Sequence, residues 1–413
     1  MARNFFFIIA ICFFLFSPIT LWSTHDLLKV DLPSWVASKD AEYLEGGRAS
    51  VNISDHLSLN GFTSKKLQDS LSAKLDDSVP CQALTLLGNA SLQRLAISAS
   101  NSIFGFPTYP TYFGSAYCYI PSEDAIAQMP AINDPGFIED ISRFADHLAA
   151  TANAHPDLLF YLCIADLSSY SSSNPAMSLV SKPPITTPEI VGLVQELQPP
   201  PNLKVADSSI DNATEYYRFY YTTDHHWSGW GAARAFDLLT GWNQSQQAAT
   251  KTNPILSGRV MNGSYSRSGL LLLNERIDEP PLKLESIESS GGYSAALQDP
   301  TSILDADPLL AEFDFYHTWY GPSASTTLFN PRQSGAALVI GDSYTSAMQW
   351  IVAQYYRDTS IYLDCHGAFR GNESLADRIN TTHCRVAFFV MGPTGIQNLE
   401  KCYPNYWKDI ESN

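Results

Sequence analysis

Positive charge is in short supply in this chain: 25 Lys and Arg stand against 42 Asp and Glu in 413 residues, a formal net charge of -17. That balance argues against a polyanion such as nucleic acid as the main partner. No two cysteines have the close C-x-x-C spacing of a zinc or redox site, which sets metal well behind disulfide as the reading of the cysteines. Beyond Trp22 no apolar run is long enough to span a bilayer, so membrane attachment rests on the N-terminus. Nor is the chain poor in apolar residues, as disordered proteins are. At 45% hydrophobic and 12% aromatic it can bury a large core, in one elaborated domain or two.

What the N-terminus does have is an almost unbroken apolar run of 18 residues, Phe5 to Trp22, behind a single basic residue, Arg3. The run is longer than the core of a cleaved signal peptide and lacks an Ala-x-Ala-like site. Residues 1–23 therefore read as an uncleaved membrane anchor with the bulk of the chain outside the cytoplasm; the alternative is a signal segment and a secreted protein. Residues 24–56 read as a lead-in. With Cys12 inside the run, Cys81, Cys118, Cys163, Cys365, Cys384 and Cys402 remain, an even number that allows up to three disulfides in an exported chain. Seven Asn-x-Ser/Thr triplets, at Asn52, Asn89, Asn212, Asn243, Asn262, Asn372 and Asn380, are acceptors if the host glycosylates there.

Leu57 to Leu75 and Cys81 to Ser100 carry near-helical apolar spacing, the second through Leu84, Leu87, Leu92, Leu95 and Ala99, and predict amphipathic helices packed on something larger. Ile103 to Pro121 reads as a short hairpin or irregular loop. Helices over 137–153 and 187–197 alternate with apolar strands over 158–164 and 203–207. That alternation implies a parallel sheet with helices on both faces. Runs 336–340, 359–364 and 385–392 predict three more strands of the same sheet. Residues 57–240 and 335–413 thus form two parts of one α/β domain. Between them, 241–334 is rich in Ser, Gly, Pro and Asn, with an apolar patch from Leu270 to Leu273 and aromatics at Phe313, Phe315, Tyr316, Trp319 and Tyr320. It is expected to be an insertion with its own strands, placed where it can contribute to substrate binding.

Two stretches carry chemistry. Asp224-His225-His226 follows an aromatic, β-prone run, Tyr216 to Tyr221, and precedes a helix from Ser228 to Leu239, so it is expected at a strand-to-helix junction. Gly341-Asp342-Ser343 follows an apolar strand and precedes a helix, which would give a serine there backbone N–H groups and a favourable helix dipole. A serine made nucleophilic by a histidine, itself oriented by an aspartate, is the combination these residues offer. By itself Gly-Asp-Ser is more often a turn, and Ser343 could simply cap the helix; the upstream Asp-x-His tips the balance. Alternation along an extended segment would put Asp224 and His226 on one side and turn His225 away, which favours His226 as the base. Asp342 reads as a turn or cap residue, and Trp227 and Trp230 as packing. A metal held by Asp224, His225 and His226 with His317 or His366 is the weaker alternative.

The stretch Tyr221-Thr222-Thr223-Asp224-His225-His226-Trp227-Ser228-x-x-Gly231-Ala232, with Val339-Ile340-Gly341-Asp342-Ser343-Tyr344 downstream, resembles the bacterial DHHW proteins, relatives of the SGNH-hydrolase-like alginate O-acetyltransferases. The resemblance runs in order of elements from about Leu57 to Asn398. It implies an SGNH-hydrolase-like three-layer αβα sandwich with a mostly parallel sheet, Asp224 and His226 as dyad, and Ser343 as nucleophile. Gly392 and Asn398 are the nearest matches to the family's further oxyanion donors. The implied activity is serine-dependent O-acyl transfer, with acetyl foremost, onto a cell-envelope or secreted polysaccharide. The acyl donor would come from a membrane partner, and neither cofactor nor metal enters. With water as acceptor the same residues give a carbohydrate esterase. A glycan-binding envelope protein without catalysis is the rival reading.

Overall fold

The computed structural model describes residues 57–58, 64–68, 70, 82–111, 116–131, 136–181, 184–241, 260–269, 271–280, 287–290, 315–320, 326–366, 374–402 and 406–407. The run Phe5 to Trp22, Cys12, Cys81 and the whole lead-in, 24–56, fall outside these residues. No helix among them is long and apolar enough to cross a membrane. The chain divides into two compact units, Met1–Phe104 with Leu270–Leu272, and Gly105–Gly269 with Leu273–Asn413.

The first unit contributes the long helix α1 (Gln82–Phe104), where Arg94 donates to the Leu272 carbonyl at 3.1 Å. The helix is where its spacing predicts it. Leu92 and Leu95, which the spacing assigns to a packed face, are instead both 67% exposed.

The second unit opens with a three-stranded antiparallel sheet: β1 (Tyr109–Pro110), β2 (Tyr117–Ile120) and β3 (Ala125–Gln128). The expected hairpin is therefore one strand larger than its sequence limits. Then the α/β alternation begins, with α2 (Phe137–Ala154), β4 (Leu159–Ile164), α3 (Thr187–Glu196) and β5 (Leu203–Ala206). Helix α3 starts at a capping box in which Thr186 and Glu189 satisfy each other's end groups, with a proline in the first turn. Two helices follow, α4 (Ala213–Phe219) and α5 (Gly229–Thr240). The aromatic run expected as a strand is thus mostly helix. Asn212 caps it by accepting from the Glu215 N–H at 3.1 Å, and Tyr216 stacks on Tyr220 one turn away, centroids 4.3 Å apart. Capping and i,i+4 stacking outweigh the β-propensity of tyrosine here.

The interval that reads as an insertion supplies β6 (Val260–Met261), α6 (Ser264–Gly269), β7 (Glu275–Arg276), β8 (Glu288–Ser289), α7 (Phe315–Tyr320) and β9 (Thr326–Phe329). Strands β6 and β7 pair with each other. Strands β8 and β9 pair antiparallel onto the edge of the main sheet. The chain ends with β10 (Ala336–Gly341), α8 (Thr345–Ala353), β11 (Asp358–Tyr362), α9 (Leu375–Thr382), β12 (Val386–Met391) and α10 (Pro393–Cys402).

The main sheet has seven strands in the order β5-β4-β12-β10-β11-β9-β8, with the first five mutually parallel. Those five are the strands the sequence predicts; β4, β10 and β12 read as near-continuous hydrophobic stretches because both their faces are buried. Every residue of β12 is buried, as are all but the first of β4 and β10. Helix α5 packs on α4 and α8, α7 packs on α8, and α2 packs on α3 and α10. All nine residues of α8 are buried, so this helix is enclosed by protein on every side.

Of the up to three disulfides expected, none forms among the described residues. Cys118, Cys163, Cys365 and Cys384 are free and buried, on elements that serve as core, with the Cys365 sulfur 3.8 Å from Met391 Sδ. Cys81 and the Cys402 side chain lie outside the described residues. Of the glycosylation triplets, Asn262 is buried and donates to Asn274 Oδ1 at 2.9 Å, so its side chain is not an accessible acceptor.

Candidate active site

Ser343 stands two residues beyond the end of β10, at the carboxyl edge of the parallel sheet. The exit from the strand needs glycine: a Cβ on Gly341 would overlap the Val390 carbonyl oxygen of neighbouring β12. Asp342 then closes the turn. Its carboxylate accepts from the Tyr344 N–H at 3.1 Å and the Gly392 N–H at 2.8 Å, fastening the end of β10 to the end of β12. This is the structural role its position predicts. Burial pushes its carboxyl up to about 7.

The Asp-His segment is a closed loop between α4 and α5. Tyr220 and Trp227 form an antiparallel bridge, Tyr221 N–H donates to the His226 carbonyl at 3.2 Å, and Ser228 N–H to the Phe219 carbonyl at 2.8 Å. Inside the loop Asp224 folds back on its own chain. Its Oδ1 accepts from the His226 backbone N–H at 3.0 Å and lies 2.6 Å from His226 Nδ1, while Oδ2 accepts from the Ser264 N–H at 2.6 Å. Burial alone would raise this carboxyl, but His225, His226 and the Ser264 N–H together hold it well below the usual carboxylate range. An ionised Asp224 requires His226 Nδ1 to carry the shared proton, which leaves Nε2 as an acceptor. Ser343 Oγ is 2.7 Å from that nitrogen. Asp224, His226 and Ser343 are 7%, 2% and 6% exposed, so the chain of hydrogen bonds runs through a nearly dry interior.

His226, and not His225, stands between Asp224 and Ser343, but the extended geometry expected to select it is absent. The loop is bent rather than extended, and the His225 ring lies 3.7 Å from that of His226 instead of pointing away. His225 Nδ1 is 2.8 Å from Ser264 Oγ and 3.3 Å from Asp224 Oδ1. Asp224, His225 and His226 also bring one ligand atom each within 4.8 Å of one another. In this arrangement both His226 nitrogens are engaged, by Asp224 and Ser343, and the side chains of His317 and His366 lie outside the described residues.

Two further expectations change. Gly392 N–H serves Asp342 and is not held ready as an oxyanion donor, while Asn398 Nδ2 spends one of its two hydrogens on the Cys365 carbonyl at 3.3 Å. The N–H groups at the start of α8 are occupied too. Tyr344, Thr345, Ser346 and Ala347 donate to Asp342 Oδ1, the Asp342 carbonyl, the Ser343 carbonyl and the Tyr316 hydroxyl.

Tyr316, Ser264, Glu275 and Glu279 all reach the Asp-His loop or its surroundings, and reading the sequence missed their roles. They come from the interval without apolar periodicity, and only the aromatic cluster around Tyr316 marked it at all. Trp227 is packing as expected: it is buried and donates to the Tyr344 carbonyl at 3.1 Å. Trp230 is partly exposed and lines a cleft of about 630 Å³ beside the loop, together with Tyr217, Arg218, Phe219, Arg276 and Asp278. That places Trp230 at an open surface and not in the core.

A mostly parallel α/β sheet that carries a hydrogen-bonded Ser-His-Asp row at the edge of a strand has the chemical form of a serine-nucleophile hydrolase or acyltransferase. Among solved structures, a DHHW family protein from Eubacterium siraeum is similar at 12% identity, covering 74% of this chain and 98% of its own, with a TM-score of 0.47. PatB1 of Bacillus cereus with a sulfonyl adduct is similar at 15% identity, covering 66% and 94%, TM-score 0.45. The O-acetyltransferase domain of AlgJ from Pseudomonas putida is similar at 12% identity, covering 74% and 98%, TM-score 0.38. No family model and no curated protein matches the chain.

Proposed function

We propose that this chain is an extracytoplasmic serine-dependent O-acyltransferase, with acetyl as the group transferred and a cell-envelope or secreted polysaccharide as acceptor. The reading takes the fold as an SGNH-hydrolase-like three-layer αβα sandwich, anchored in the membrane through Phe5 to Trp22. The observation that carries it is the continuous contact from Asp224 through His226 to Ser343, at 2.6 and 2.7 Å. Those separations are within direct proton-transfer reach.

In the proposed reaction His226 Nε2 takes the Ser343 proton as Oγ attacks the acyl carbon of a donor ester. The leaving group departs with that proton, and an ester on Ser343 remains. A sugar hydroxyl then attacks the ester, gives its proton to His226, and leaves with the acyl group as Ser343 is restored. Asp224, ionised throughout, stabilises the imidazolium that forms at each stage. Water in place of the sugar makes the same site an esterase, and the preference for transfer rests on the sequence resemblance. The cleft lined by Trp230, Arg218 and Arg276 is proposed to hold the saccharide, since a half-exposed aromatic ring and exposed guanidinium groups together suit sugar faces and hydroxyls. The donor is proposed to come from a membrane partner.

The test is intact-mass spectrometry of the protein after exposure to an activated acetyl ester, comparing wild type with Ser343→Ala and His226→Ala. Acetyl mass trapped on Ser343 and missing from both variants is expected. No adduct and no triad-dependent ester turnover would favour the glycan-binding reading.

A further inference from the structure

The loop that carries Asp224 and His226 has few backbone bonds of its own, and the N–H groups of Thr222, Thr223 and Gly229 point outward from it. Two acidic residues four positions apart take all three. Glu275 accepts from Thr222 N–H on Oε1 at 2.7 Å, and from Thr223 N–H at 3.0 Å and Thr223 Oγ1 at 2.8 Å on Oε2. Glu279 accepts from Gly229 N–H at 2.7 Å and from the hydroxyls of Tyr221 and Tyr320. Thr223 is a node in its own right. Its Oγ1 accepts from Gly263 N–H at 3.0 Å, and its carbonyl from the N–H groups of Tyr265 and Ser266 at 3.0 and 3.2 Å.

Resting on the triad reading above, we propose that Glu275 and Glu279 are positioning residues that clamp the two ends of the Asp224–His226 loop and so hold His226 Nε2 against Ser343 Oγ. Neither carboxylate has a cationic partner among the described residues, and burial pushes both up to about 7. Burying an acid with no opposite charge is costly. The cost is explained by what a neutral side chain lacks. Glu275 accepts on both oxygens from two consecutive backbone N–H groups and a hydroxyl, and an amide offers only one acceptor oxygen. Its NH2 would face an N–H. Glu279 is different in one respect: two of its three donors are tyrosine hydroxyls, which can turn and accept. An amide at 279 can therefore keep the Gly229 bond and donate to Tyr221.

The experiment compares Glu275→Gln, Glu279→Ala and Glu279→Gln with wild type in the full chain, with Ser343→Ala as control. Three quantities are read: kcat and KM on an activated acetyl ester, the far-downfield proton resonance of the Asp224–His226 hydrogen bond, and the urea unfolding midpoint. Glu275→Gln and Glu279→Ala are expected to lose about a hundredfold in kcat, the scale of a small misplacement of a reacting group. KM should stay near its wild-type value and the downfield resonance should broaden or vanish. Glu279→Gln should recover most of both. Folded Glu275→Gln protein with wild-type kcat and an intact resonance would overturn the proposal. If Glu275→Gln does not fold, Glu275→Asp, which keeps the charge but withdraws it by one methylene, must show the same losses, and wild-type behaviour in it overturns the proposal equally. If Ser343→Ala turns the ester over like wild type, the nucleophile reading has failed. The resonance alone then decides the clamp: lost in Glu275→Gln it supports the clamp, retained it sinks it.

Discussion

The phenol ring of Tyr316 lies flat against the imidazole of His226, with centroids 3.9 Å apart and planes 6° from parallel. Its hydroxyl reaches past the stack to donate to the Ser343 carbonyl at 3.1 Å and to accept from the Ala347 N–H at 3.2 Å. One side chain thus fixes the ring of His226 and the backbone of Ser343 together. Tyr316→Phe keeps the stack and loses the hydroxyl bonds, a change of about 1 kcal/mol for each bond lost, so a modest fall in ester turnover is expected. Tyr316→Leu frees the ring, and a loss of about a hundredfold in kcat is expected. Equal rates for the two variants would mean that the stack does nothing for His226.

Gly263 sets how closely a second segment can approach the acid. A Cβ there would overlap Asp224 Cβ and crowd Asp224 Oδ2 at 2.6 Å and the Thr223 carbonyl at 2.7 Å. In Gly263→Ala the Ser264 N–H must withdraw from Asp224 Oδ2, so one of the contacts that keep the carboxylate ionised is lost. Overpacking of this kind costs about 1–3 kcal/mol. Activity is expected to fall further than stability alone explains, with the pH profile of kcat shifted. A variant whose only change is a lower unfolding midpoint would show that the Ser264 contact is incidental.

What was legible in the sequence follows from physical period. Three of the five parallel strands, β4, β10 and β12, are runs such as Ala336 to Ile340 and Val386 to Met391, apolar without interruption because both faces are covered, whereas β5 and β11 carry Lys204 and Asp358 and are only partly buried. Ser343 is marked by residue type next to one of those runs, and Asp224 and His226 by type after the aromatic run Tyr216 to Tyr221. The rest has no period to read. Tyr216 to Tyr221 looked like strand because tyrosine favours sheets, and the cap at Asn212 decided otherwise. Ser264, Glu275, Glu279 and Tyr316 are single polar or aromatic residues whose partners at the site lie far off in the chain, 27 positions between Tyr316 and Ser343 and 90 between Tyr316 and His226. Such contacts are set by how the loops dock, which spacing does not encode.

The cysteines offer a direct check on oxidation state. Cys118 and Cys163 are pushed up to about 12, Cys365 well above its ordinary range, and Cys384 upward, in each case by burial. A buried thiol that stays protonated does not react. In native protein these four should resist iodoacetamide, and in urea without reductant all four should alkylate, read peptide by peptide in the mass spectrometer. A requirement for reductant at any of them would restore the disulfide reading.

Three buried carboxyl groups, Asp166, Glu279 and Asp342, and the half-buried Glu275 at the cleft set an unusual pH dependence of stability. Glu275, Glu279 and Asp342 are raised to about 7 and Asp166 to about 6, chiefly because burial disfavours the charged form. In the unfolded chain the same groups ionise at about pH 4. Between about pH 4 and pH 7 the folded protein therefore holds protons that the unfolded chain has released, and stability falls as pH rises through that window before levelling off. Asp224 works in the opposite sense. Held ionised by His225, His226 and the Ser264 N–H, it contributes stability that is lost only as pH drops below about 4, outside the window. The urea midpoint is thus expected to be lower at pH 8 than at pH 5. Asp342→Asn removes one titrating group and should flatten the slope whatever it does to absolute stability. A wild-type midpoint that climbs from pH 5 to pH 8, or a variant slope identical to wild type, would mean that these acids titrate as exposed carboxyls do and that the interior around Ser343 is wetter than its burial implies.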